Sequence, residues 1–239
     1  MPLTPSDLIG RLFCGCIVMA STGCADAAPA ANFTGQFAGA KPSTQLKVDF
    51  EDTETGKPAG AFTTDLTGAG GPVSWVAQED DKAPSGNRVL AQTSADGTDY
   101  RFPLCVHKDF SAKDVQVSVN FKAVAGKVDQ AGGLVVRYRD KDNYYVVRAN
   151  TLEDNVRLYR VVNGERKQFA GASTKISSGE WHRLTVGAKG KHFQVFFDDK
   201  PLFEADDATF AGAGRVGMWT KADSVTRFDD LTAEGFDAR

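Results

Sequence analysis

Between Leu46 and Phe236 the chain is a regular succession of short β-like segments and turns. No window of 11 or more residues in it carries a helical stripe of apolar side chains. Strands are read at 46–51, 73–78, 87–93, 99–106, 115–124, 132–139, 144–151, 155–162, 165–170, 180–188, 192–198, 201–205, 214–220 and 225–235. In the segment VQVSVNFK (115–122), Val115, Val117, Val119 and Phe121 recur at every second residue, the period of a strand with one buried face. Asn163-Gly164 is the strongest hairpin signal, and Asp140 to Asn143, Lys189-Gly190 and Asp198 to Pro201 are further turns. A stock of 16 Phe against 3 Met agrees with strands. Strands so spaced, with no helix between them, predict an all-β, antiparallel two-sheet sandwich. A body of about 190 residues suits one large domain of that kind.

The start of the chain reads differently. Arg11 precedes the apolar run Leu12 to Ala20, which is too short to span a bilayer and suits the core of an export signal. Two endings are open: cleavage after Ala25-Asp26-Ala27, or lipidation of Cys24 in the lipobox-like Ser21-Thr22-Gly23-Cys24, where Ser21 replaces the usual Leu. Residues 1–27 are therefore read as an export signal, 28–45 as a flexible Ala-, Gly- and Pro-rich tether, and 46–236 as the domain. The expected location is periplasmic or extracellular, with membrane contact only through a lipid on Cys24. Cys14, Cys16 and Cys24 all fall in the leader, so Cys105 has no disulfide partner in the body and is read as a small buried hydrophobe. The net charge of -3, from 28 basic and 31 acidic residues, gives no global attraction for nucleic acid.

Registers can be read from the turns. A tight turn at Asp140 to Asn143 sets Arg139 opposite Tyr144 and Arg137 opposite Val146. Leu134, Val136, Tyr138, Tyr145, Val147 and Ala149 then share an apolar face. The next turn sets Arg157 opposite Arg148 and Tyr159 opposite Val146, and the Asn163-Gly164 hairpin brings Gln168 across from Tyr159. One sheet face is thereby expected to display Arg137, Tyr144, Arg148, Arg157, Tyr159 and Gln168. Like charges facing each other across strands need compensation, from acidic neighbours or from a bound polar ligand. Guanidinium donors beside phenol rings suit sugars, because they join bidentate hydrogen bonding to an apolar ring face.

The stretches AGGLVVRYRDKDNYYVVRANTLEDNVRLYRVVNGERKQFA (131–170), GEWHRLTVGAKGKHFQVFFDDKPLFEADD (179–207) and GAGRVGMWTKADSVTRFDDLTAEGF (212–236) resemble the bacterial laminin-G-like, concanavalin A-like jelly rolls. Together with WVAQEDDKAPSGNRVLAQ (75–92), they are most similar to the 3-keto-disaccharide hydrolase-type domains. The resemblance spans Leu46 to Phe236. It implies a jelly roll and a carbohydrate or glycoconjugate partner, on a fold that also serves lectins, glycosidases and adhesion domains. The hydrolase-type branch implies elimination beside a ketone in an oxidised sugar. Related modules hold a structural calcium where the terminal strands meet, which points to Glu51 and Asp229; no other cofactor is expected. The FDDL segment (228–231) sets two acids between core-type residues, the pattern of a bulge.

Several motifs lead nowhere. Gly212-Ala-Gly214-Arg-Val-Gly217 spells a dinucleotide fingerprint but precedes a strand, so its glycines are read as a turn and a close strand approach. His107, His182 and His192 are scattered, and no E-x-D-x-x-E cluster occurs. The reading is an exported jelly roll that binds glycan. Its alternatives are a glycoside-processing enzyme and a non-catalytic structural or adhesive envelope protein.

Overall fold

The computed structural model describes residues 35–236; the leader read at 1–27, with Cys14, Cys16 and Cys24, lies outside the described residues. The described residues form β1 (Thr44–Val48), β2 (Phe62–Gly68), β3 (Trp75–Glu79), β4 (Arg88–Gln92), β5 (Arg101–Ala112), β6 (Val115–Ala125), β7 (Ala131–Asp140), β8 (Asn143–Asn150), β9 (Asn155–Val162), β10 (Glu165–Ser173), β11 (His182–Lys189), β12 (His192–Phe197), β13 (Lys200–Asp206), β14 (Gly214–Trp219) and β15 (Val225–Gly235). There is no helix among them. Every pairing is antiparallel.

Sheet A runs β13-β12-β11-β6-β15-β4-β3, with β1 also paired to β15; sheet B runs β10-β9-β8-β7-β14-β5-β2. The two sheets close on each other as a sandwich. Val115, Val117, Val119 and Phe121 of β6 enter the core with Leu184 and Val186 of β11 and Phe193, Val195 and Phe197 of β12. Sheet B answers with Leu134, Val136, Tyr145, Val147, Ala149, Val156 and Leu158. Each set alternates along its strand, so one period of two builds both inner faces. The expected all-β, antiparallel jelly roll is the fold observed. Strand β2 was not expected, because Phe62–Gly68 lies at the edge of sheet B and mixes Phe and Leu with Thr and Asp. An edge strand needs pairing on one side only, and its hydrophobic signal is correspondingly weak.

Turns follow the residues that define them. Asn163 (φ 52°) and Gly164 (φ 82°) both lie in the left-handed region that a two-residue hairpin demands, and β9 pairs with β10 as expected. Asp198 and Asp199 do the same between β12 and β13. The FDDL bulge is present: the β15–β6 register shifts between Asp229 and Thr232, and Asp230 has φ 48°. Ahead of β1, Phe37 is buried and stacks on Phe236 with ring centroids 4.0 Å apart, and the Gln36 N–H donates to Gln194 Oε1 at 2.7 Å.

One register differs from expectation. The turn end of β7–β8 holds, with Asp140 opposite Asn143, but an irregularity between Val136 and Asp140 makes Val135, not Arg137, the partner of Val146. Its cause is Arg137, whose φ of 50° breaks the strand alternation. Tyr138 is thereby thrown to the outer face, while Arg137 turns inward and is fully buried. Its Nε donates to the Lys113 carbonyl and its Nη1 to the Phe210 carbonyl, both at 2.9 Å, and its guanidinium lies over the Phe193 ring.

Within 212–217, Gly214 and Gly217 serve strand approach. A Cβ on Gly214 would stand 2.4 Å from the Arg137 backbone, and one on Gly217 would stand 2.3 Å from the Cys105 carbonyl oxygen. Neither backbone can yield without breaking a ladder. Gly217→Ala is expected to cost about 1–3 kcal/mol of stability through this overlap. Gly212→Ala, where the nearest atom is Arg139 Nη2 at 3.9 Å, is expected to be neutral. Denaturant midpoints of the two variants check this, and equal midpoints would refute the close-approach role.

Candidate functional site

The outer face of sheet B is not a bare polar surface. Phe102, Leu104 and Val106 of β5, Val135 and Tyr138 of β7, Tyr144 and Val146 of β8, Tyr159 and Val161 of β9 and Trp219 of β14 form a second buried apolar layer there. Its aromatic members interlock: Phe102 stacks on Trp219 at 5.2 Å and Tyr138 on Tyr144 at 6.0 Å. The polar tips of these rings are satisfied. The Trp219 indole N–H donates to the Tyr144 hydroxyl at 3.3 Å, and the Tyr138 hydroxyl donates to Asp65 Oδ2 at 2.7 Å. Burial, reinforced by Asp65, pushes the Tyr138 phenol up, so it stays a neutral donor.

Arginines lie on this layer. Arg166 rests over Phe102 and Tyr159, each 4.5 Å from its guanidinium carbon, and over Trp219 at 5.6 Å. Its backbone N–H donates to the Tyr100 hydroxyl at 2.7 Å, which itself donates to the Gly164 carbonyl at 3.0 Å. These bonds lock the β9–β10 hairpin against the strand that carries Phe102. Arg215 caps Tyr138 at 4.9 Å in the same way.

Beside Tyr159 sits a polar cluster built by the β8–β9 turn. Arg148, only 2% exposed, donates from Nη2 to Glu153 Oε2 at 2.9 Å and to Asn155 Oδ1 at 2.7 Å, and from Nη1 to Glu153 Oε1 at 3.3 Å. Asn155 Nδ2 closes the triangle by donating to Glu153 Oε2 at 3.0 Å. The Arg148 hydrogen bonds hold the Glu153 carboxyl down at about 2, below its ordinary range. Burial alone would lower Arg148, and the bond to Glu153 reverses that and raises it. Next in the row, Lys221 Nζ bridges Asp99 Oδ1 at 2.7 Å and Asp129 Oδ2 at 2.9 Å, while Asn150 Nδ2 donates to Asp129 Oδ1 at 2.6 Å. Burial pushes the Asp129 carboxyl up despite Lys221. The face thus joins a buried aromatic layer, covered by Arg166 and Arg215, to a network of ion pairs and amide hydrogen bonds at its side.

The expected site residues divide. Arg148 pairs with Arg157, Val146 with Tyr159 and Gln168 with Tyr159, so the registers that place Arg148, Arg157, Tyr159 and Gln168 on one face are those observed. Tyr159 lies within the layer, Arg157 is half-buried and Gln168 is exposed. Tyr144 shares the face but is fully buried under it, its hydroxyl 2.8 Å from Thr67 Oγ1. Arg137 is removed from the face by its bulge. Three residues were missed that simple parity would have found: Arg166 lies two positions before Gln168, and Asn155 two before Arg157, with Glu153 in the adjoining turn. Phe102 and Trp219 join from β5 and β14, and no local signal announces them.

Glu51 and Asp229 both anchor the loop ahead of β4. Glu51 Oε1 accepts the N–H groups of Asn87 (3.0 Å) and Arg88 (2.7 Å), and Asp229 Oδ2 accepts the Ser85 N–H at 3.0 Å. Burial pushes the Asp229 carboxyl up to about 6. Among the described residues no group of three His, Cys, Asp or Glu side chains is gathered to hold an ion. These bonds tie both acids to the same loop. Cys105 is buried, and burial pushes its thiol up, as suits an inert packing residue.

The Arg148–Glu153 pair makes a direct expectation. Arg148→Met fills the space without the donors, so the Glu153 carboxyl is expected to rise from about 2 towards its ordinary value near 4.3. The stability this pair contributes is present above that ordinary value and is lost as pH falls through about 2. Carboxyl NMR titration of the two proteins measures the shift, and an unmoved Glu153 would discount the pair.

No protein-family model matches the chain. A levanase of Bacillus subtilis (strain 168) is 26% identical over 144 residues, which are 59% of this chain and 19% of the levanase. The chain therefore spans about a fifth of that relative's length. Among solved structures, the carbohydrate-binding module CBM66 from Bacillus subtilis is similar with a TM-score of 0.59 and 21% identity, over 73% of this chain and 96% of that one. A Bacillus subtilis protein with a galectin-like fold gives 0.51 and 10%, over 74% and 90%. The exoplasmic/lumenal domain of VIP36 in a Ca2+/Man-bound form gives 0.51 and 11%, over 75% and 84%. These likenesses establish the concanavalin A-like jelly-roll sandwich.

Proposed function

We propose that this is an exported protein that binds glycans on the outer face of sheet B, through Arg148, Glu153, Asn155, Tyr159 and Arg166. The observation that carries the reading is a fully buried guanidinium fixed by a carboxylate and an amide beside an aromatic ring. Arg148 lies 5.8 Å from the Tyr159 ring, so a sugar beside Tyr159 would meet the exposed Glu153 carboxylate, which Arg148 and Asn155 hold in place. These groups are already held by one another, so little ordering entropy is left to lose on binding. Support also comes from the fold, shared with a carbohydrate-binding module and a Man-bound lumenal domain, and from the partial likeness to a levanase.

The test is thermal denaturation of the protein with a panel of oligosaccharides that includes levan- and mannose-derived members. At least one is expected to raise Tm in a dose-dependent way. That shift is expected to vanish in Arg148→Met and to weaken at least tenfold in apparent Kd in Glu153→Gln. A folded protein whose Tm no sugar moves would end the proposal.

A further inference from the structure

Positive charge on the outer face of sheet B exceeds what its own acids neutralise. Arg148 is paired with Glu153, and Lys221 with Asp99 and Asp129. Arg166 is not so served. Its Nη1 is buried without a hydrogen-bond partner, and no carboxylate of the described residues pairs with it. Nε of neighbouring Arg148 is likewise buried and unpartnered. Arg157 stands opposite Arg148 in the ladder, also without a paired acid among the described residues. Two guanidinium groups, those of Arg148 and Arg166, therefore approach one phenol ring, Tyr159, at 5.8 and 4.5 Å.

Aromatic faces offset part of the cost of a half-buried cation. They cannot accept a guanidinium's five N–H groups in any adequate way. Burial, with Arg148's charge adding to it, lowers Arg166 from its ordinary value, and the more distant Asp129, already bound to Lys221, offsets this only in part. Sugar hydroxyls would accept some of these hydrogen bonds but would leave the charge unmatched. A carboxylate matches both the planar fork and the charge.

We infer that the preferred ligand is an acidic saccharide, a uronic acid whose carboxylate meets the half-exposed Arg166 where it covers Tyr159. This rests on the glycan-binding reading above and narrows it to a ligand class.

The experiment is isothermal titration of the full chain with short homo-oligomers of galacturonic, glucuronic and mannuronic acid. Each is compared with the same oligomer after reduction of its carboxylates to hydroxymethyl groups. One acidic oligomer is expected to bind at least tenfold tighter than its reduced form. Arg166→Gln should bring that ratio close to one, and Arg166→Lys, which keeps the charge but loses the fork, should leave it in between. Raising NaCl from 20 to 200 mM should weaken the acidic oligomer and spare the reduced one. Poly-glutamate, which carries carboxylates without a sugar ring, should not bind. Equal binding of acidic and reduced forms, or undiminished acidic binding by a folded Arg166→Gln protein, overturns the inference and leaves glycan binding standing. Poly-glutamate binding as tightly as the uronides overturns the saccharide class. If the acidic oligomers, their reduced forms and the wider sugar panel all fail to bind, both readings fall.

Discussion

The structure depends on burying both faces of sheet B. One face packs on sheet A through Leu134, Val136, Tyr145, Val147 and Leu158, as in any sandwich. The other face also carries large apolar side chains, yet among the described residues no third sheet covers it. Its cover is made by side chains: Arg166 over Phe102, Tyr159 and Trp219, and Arg215 over Tyr138. Guanidinium groups suit this work because their flat faces are weakly hydrated and stack on rings while their edges keep polar capacity. A surface built in this way is a lid on an apolar layer.

The same arrangement explains why the site lies where it does. The β8–β9 turn brings Glu153 and Asn155 to Arg148, and the β9–β10 hairpin delivers Arg166 to the aromatic floor. Two adjacent turns along one strand thus assemble the polar groups, while strands distant in sequence supply the floor. Tyr100 ties the second turn down through the Arg166 N–H and the Gly164 carbonyl. Arg148, Glu153 and Asn155 satisfy one another before any ligand arrives, which is preorganisation in the ordinary physical sense.

Much of this could be read in the chain. Period-two alternation from Val115 to Phe121 named the inner face of its strand, because a strand cannot present neighbours to the same side. Asn163-Gly164 set the β9–β10 register, and with it the shared face of Tyr159 and Gln168. The error at Arg137 has a definite cause. A side chain at φ 50° breaks the alternation, and a buried arginine answered by backbone carbonyls leaves no mark in a hydrophobicity pattern. Tyr138, expected inside, was carried out with it.

The sequence by itself determined the strand pattern, the turns and which local neighbours share a face, since these follow from backbone sterics and side-chain periodicity over a few residues. Only the tertiary structure decided what each polar group would meet. Arg148 gained an acid from the next turn, Arg166 gained rings from β5 and β14 but no paired carboxylate among the described residues, and Glu51 and Asp229 hold a loop. Electrostatic partnership depends on distances of a few ångströms between strands far apart in the chain. No local pattern encodes those distances.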